Sequence, residues 1–159
     1  MTDDNTQELA TTVKIAGHPL HPLLVTLPIA FWVGTLIFDL GFLITKDPFW
    51  AHGALVLLIL AIIFAAVAAL AGFADFFGNA RIRALRDAWQ HMIGNVVALL
   101  IAIVNLWPHW DTSGAAISPW GVLLSLVVVL ILLFTGWKGW ALVYRHKVGV
   151  TEGPSNGSR

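Results

Sequence analysis

Four uninterrupted apolar blocks, each about as long as a bilayer crossing, constrain this chain more than any other feature. They occupy residues 23–45, 49–77, 90–107 and 120–144. A hydrocarbon core of roughly 30 Å takes about 20 helical residues. Lipid offers no water to exposed backbone groups, so each segment must satisfy its own N–H and C=O groups. Composition agrees, with 58% of the 159 residues hydrophobic, 11% charged and a mean hydropathy of +0.81. That leaves too little polar surface to cover a soluble core. The reading is an all-α integral membrane protein, a four-transmembrane-helix bundle in a lipid bilayer.

The blocks divide the chain into a polar N-terminal segment (1–16), the transmembrane domain (17–150) and a Gly/Ser-rich tail (151–159) expected to be disordered. Residues 108–119 read as a polar turn between the third and fourth spans. The first residues carry Asp3, Asp4 and Glu8 with no basic run, unlike a cleavable signal peptide. Net charge is zero, which speaks against nucleic acid as a partner. The absence of cysteine excludes disulfides, thiolate metal sites and covalently attached c-type haem. Lys14, Arg81, Arg83, Arg86, Arg145 and Lys147 fall on the side of the N-terminus, and only Lys46 on the other. Lys/Arg asymmetry therefore predicts cytoplasmic N- and C-termini.

A small-residue stretch in the second span includes Ala61, Ala65, Ala68, Ala71 and Gly72. Such spacing lets helices approach closely, either inside the bundle or at an oligomer face. No internal repeat is evident along the chain.

Ionisable groups at membrane depth are costly and mark candidate sites. His18 and His21 stand at the entrance of the first span, in Gly17-His18-Pro19-Leu20-His21-Pro22. The prolines restrain each preceding histidine to extended backbone, with Pro22 suited to a helical first turn. His91 lies about one turn inside the same interface on the third span, and His146 just beyond the fourth. Asn95 follows His91 by one helical turn, and Asp75 belongs to the same level. Three chemistries remain open for this set. Two imidazoles could ligate haem b axially. The histidines could bind zinc, copper or iron with support from Asp75. They could instead hydrogen-bond carbonyls and headgroups. His21 and His91 are the first metal-ligand candidates, with His18 and His146 as alternates and Asp75, Asn95 and Lys138 around them.

At the opposite face the polar set is Asp39, His52, Asn105 and His109, and an Asp39–His52 pair is expected, which locks the first hairpin or else serves as a proton-relay site or second ligand set. Lys138, two turns before Arg145, either snorkels to the interface, pairs with Asp75, or contacts a haem propionate or quinone.

The double His-Pro segment, with Pro28-Ile29-Ala30-Phe31-Trp32 and Phe38-Asp39, resembles a bacterial family of membrane proteins of unknown function, domain of unknown function 2231. Gly72 and Asp75, Trp89-Gln90-His91 with Asn95, and the run from Leu142 to Val150 carry the same resemblance. Lys138, Gly139, Trp140 and Ala141 depart from the Gly-Gly usual before that run. The resemblance implies a four-span domain of the bacterial inner membrane without an established activity. Some relatives join a Rieske-type iron–sulfur domain, which hints at electron transfer. Here any iron–sulfur partner would be a separate protein. The expectation is a redox module holding haem b or another metal near the cytoplasmic face. The alternative is a non-catalytic accessory subunit of a larger membrane complex. No catalytic residue is assigned, and a transporter ranks last because the central layer is almost wholly apolar.

Overall fold

The computed structural model describes residues 11, 14–15, 18–110 and 117–150, with the side chains of 14, 15, 18, 117 and 118 excepted. The tail at 151–159 lies outside the described residues, as does most of the N-terminal segment. A two-rung antiparallel ladder, β1 (Lys14–Ile15) with β2 (His18–Pro19), leads into the helices. Then follow α1 (Leu20–Leu24), α2 (Thr26–Thr45), α3 (Pro48–Gly78), a single turn α4 (Ala80–Arg83) and α5 (Arg86–Trp110). A π-helical turn, Ile117–Gly121, feeds α6 (Val122–Tyr144). Four spans long and apolar enough to cross a membrane result: Leu20–Thr45, Pro48–Gly78, Arg86–Trp110 and Pro119–Tyr144.

Local chemistry sets the boundaries. The first span breaks at Val25 because Pro28 has no N–H to give to the Leu24 carbonyl one turn back. The first hairpin turns at Lys46, whose left-handed backbone (φ 59°) ends α2. Asp47 then caps α3, its Oδ1 accepting the Phe49 N–H at 2.9 Å, with Pro48 at the first helical position. The third span is longer than its apolar block. Residues 86–89 are helical before it, and Pro108, expected in a turn, is buried inside α5. Charged residues at a helix end stay helical in the headgroup layer, so hydropathy alone underestimates this span.

Packing is arranged inside out. Leu58, Val128, Trp32 and a row of alanines, Ala61, Ala65, Ala98 and Ala102, make the central core. Leu23, Ile37, Ile44, Leu70 and Leu133 stand exposed on the outside. Lipid tails solvate leucine as well as a protein interior does, so close backbone approach between small residues holds the helices together. The small-residue stripe of α3 thus serves the bundle interior, with Ala61, Ala65, Ala68 and Ala71 all buried.

Helix α2 pairs with α3 and α5 with α6, and the two hairpins meet where α3 touches α5 and α2 touches α6. Going round the bundle the order is α2, α3, α5, α6, which puts α2 and α5 on one diagonal. The buried positions also repeat, contrary to the sequence expectation. Pro28, Trp32, Thr35 and Asp39 of α2 correspond to Ala98, Ala102, Asn105 and His109 of α5, a constant offset of 70. Ala54, Leu58, Ala61 and Ala68 of α3 correspond to Gly121, Ser125, Val128 and Thr135 at the other hairpin, each 67 later. The bundle is two copies of one helical hairpin in the same orientation, related by a pseudo-twofold axis along its length. Most residue types differ between the copies, so the burial register reveals the relation more clearly than the sequence does.

Candidate functional site

His21 and His91, offset by the same 70 residues, meet at the bundle end that carries Pro19 and His146. Their ring centroids lie 6.0 Å apart with planes at 89°. Each ring is held by the partner helix of its own hairpin in the same way. His21 Nδ1 lies 2.8 Å from the Ala68 carbonyl oxygen of α3, and His91 Nδ1 lies 2.8 Å from the Thr135 carbonyl oxygen of α6. A carbonyl only accepts, so both Nδ1 atoms are protonated donors and each neutral ring carries its lone pair on Nε2.

Glycine makes both contacts possible. One turn after each accepting carbonyl stands Gly72 or Gly139. A Cβ on Gly72 would lie 2.9 Å from both Cε1 and Nδ1 of His21, and one on Gly139 would lie 3.1 Å from Cε1 of His91. An alanine at Gly72 would push the His21 ring off its carbonyl, and one at Gly139 would make the His91 ring give by a few tenths of an ångström. Gly139 lies within the stretch that departs from the family pattern, yet it is the surface His91 rests on.

Asn95 completes the pair. Its Nδ2 donates to the His91 carbonyl at 2.9 Å and reaches His91 Nε2 at 3.1 Å. The second N–H thus occupies the lone pair that the tautomer leaves on Nε2. Asp75 is buried in α3, one turn nearer the mouth than Gly72.

The remaining expected site residues lie elsewhere. Lys138 does not pair with Asp75: its Nζ lies 2.9 Å from Asp87 Oδ1. His146 Nε2 lies 3.0 Å from Asp87 Oδ2, so one partly exposed carboxylate ties the start of α5 to the end of α6. Asp87 was not singled out in the sequence because it precedes the apolar block. His18 lies in β2, and its side chain is outside the described residues. No group of three or more His, Cys, Asp or Glu side chains comes together among the described residues.

At the other end of the diagonal the expected Asp39–His52 pair is replaced. His52 is exposed and its Nδ1 donates to the Pro48 carbonyl of its own first turn at 2.8 Å. Asp39 points inward to His109, with Oδ1 and Nε2 2.8 Å apart and both side chains fully buried. The offset of 70 between them is the signal that would have found this pair.

The fold and this mouth define a class: a four-span membrane bundle with a bihistidine contact on its pseudo-twofold axis. The chain belongs to the DUF2231 family of predicted membrane proteins, whose model matches residues 17–152. No curated protein and no solved structure matches it.

Proposed function

We propose that the protein is a membrane electron-transfer module in which His21 and His91 hold one metal centre, haem b, at the cytoplasmic mouth of the bundle. The observation that carries this reading is the approach of two tautomer-fixed imidazoles from opposite helices. A metal-ligating histidine usually gives its other ring N–H to a carbonyl or carboxylate, which aims the lone pair. Both rings have that arrangement. With ring centroids 6.0 Å apart, His21 and His91 are near enough that the two rings would hold one metal between them. Two is also the number of ligands a haem takes from the protein at most, the porphyrin supplying the rest.

In this reading His21 and His91 would hold the metal, the Ala68 and Thr135 carbonyls orient the rings, and Asn95 Nδ2 lies against His91 Nε2. A bound haem would supply reversible one-electron chemistry. Electrons would pass between it and a quinone or a separate iron–sulfur protein of the bacterial inner membrane. Absorption spectra of gently purified protein, oxidised and reduced, test the reading. A Soret band lost in His21→Ala and in His91→Ala is expected. Neither a Soret band nor stoichiometric metal by elemental analysis would sink it.

A second reading rests on Asn95, which already satisfies the nitrogen a metal would need. The two imidazoles would then be a structural clasp, and the protein an accessory subunit packing within a larger membrane complex. Recovery of a stable partner complex in mild detergent, without any cofactor, favours that role.

A further inference from the structure

Asp39 and His109 sit about 27 Å along the bundle from the bihistidine mouth, 18 helical residues at roughly 1.5 Å each. Both side chains are fully buried. His109 Nδ1 lies 2.8 Å from the Asn105 carbonyl oxygen, so that nitrogen is a donor. The contact from Nε2 to Asp39 Oδ1 then needs one proton, carried either by the imidazole or by the carboxyl. Either way the pair is neutral overall.

A pair built only to hold helices together would have its polar atoms satisfied. This one does not. Asp39 Oδ2 is buried without a hydrogen-bond partner among the described residues, and so is Asn105 Oδ1, one turn from His109 on the same helix. Asn105 spends its donor on Ser125 Oγ at 2.9 Å. Both orphaned atoms are acceptors, so what the site lacks is a hydrogen.

We propose that Asp39 and His109 form a proton-binding site within the membrane, taking up a second proton on Asp39 Oδ2. The uptake balances simply. A neutral pair plus one proton from water gives a carboxylic acid beside an imidazolium, with net charge +1. The imidazolium donates through Nδ1 to Asn105 and through Nε2 to Asp39 Oδ1. No metal or electron transfer enters, so the site stands independently of the redox reading.

Few titratable groups surround the pair among the described residues, and Asp111, two residues after His109, lies outside them. On α2 and the turn after it, Lys46 lies 5.5 Å from the Phe42 ring centroid and Asp47 caps α3. On α3 the nearest titratable group is His52, exposed and bonded to Pro48. The π-helical turn and residues 122–137 of α6 carry no titratable side chain. On α5 His109 itself is the only titratable residue beyond His91.

Infrared difference spectroscopy of the intact protein in lipid vesicles tests this, titrating from about pH 9 to about pH 4 across the ordinary imidazole and carboxylate ranges. Acidification is expected to raise a protonated-carboxyl C=O band, or to shift one already present where the first proton sits on Asp39; Asp39→Asn abolishes this response and His109→Gln shifts it to a different midpoint. Asp75→Asn, altering the other aspartate that is buried among the described residues, leaves that band in place. If Asp39→Asn does not insert, aspartate-specific carbon labelling shows that the band is an aspartate's, and its displacement by His109→Gln assigns it to the carboxyl that His109 contacts. A titration with no aspartate carboxyl band, or with one unmoved by both Asp39→Asn and His109→Gln, overturns the proposal.

Discussion

An imidazole tied through Nδ1 to a helix carbonyl can sit there only if the next turn leaves room, which makes Gly72 and Gly139 as important as the histidines they support. Gly72→Ala is expected to displace His21 from Ala68 and to destabilise the protein by about 1–3 kcal/mol, the usual range for overpacking. Gly139→Ala should do less damage, since its Cβ would approach the ring less closely. Thermal unfolding in detergent reads both. A Gly72→Ala variant as stable as the unaltered protein would show that the ring has another place to go. On the proposed electron-transfer reading, both variants also lose the Soret band. His21, His91 and Asn95 were legible from the sequence because helical spacing and membrane depth place them at one level. Asp87 and the backbone carbonyls of Ala68 and Thr135 were not. A carbonyl has no letter in the sequence, and Asp87 lies outside the hydrophobic window that draws the eye. The Asp39–His52 expectation failed for a related reason: depth was judged correctly, but the side of the helix each residue faces was not.

At the scale of the helix, the fold was almost wholly legible, since lipid permits few alternatives to a spanning helix. The ends were less so. Helix α5 runs past both ends of its apolar block because Asp87 gains Lys138 and His146 as partners at one end, while Pro108 is buried on the inner side of the last turn at the other. The interior of each span is set by small residues. Ala61→Leu or Ala102→Leu, at positions with no exposure, is therefore expected to destabilise the bundle by about 1–3 kcal/mol. Leu70→Ala or Leu133→Ala, on the lipid side, should change stability by less than about 0.5 kcal/mol. Equal effects at the two sets would contradict the inside-out arrangement. Asp47→Ala removes the cap of α3 and is expected to lower stability by about 1 kcal/mol. Loss of helicity confined to the first turn of α3, seen by amide exchange, is the matching observation.

For the whole molecule, the two hairpins are expected to behave as separable units. In membranes helices insert first and associate afterwards, and the connection through α4 is a single turn. Chains 1–84 and 85–159 expressed together are thus expected to reassemble, with a tag on one half recovering the other from detergent. Failure of the halves to copurify, while each inserts, would mean that the covalent link, not the interface, holds the bundle. The pseudo-twofold relation also explains why contacts on the α2/α5 diagonal fall between equivalent positions. Were the bundle assembled from two identical hairpins, any residue meeting its counterpart on the axis would meet its own kind. Two histidines satisfy that condition, and one end of the axis has them. An acid facing a base does not. A single chain carrying both hairpins, free to change one without the other, can break the symmetry and set Asp39 opposite His109.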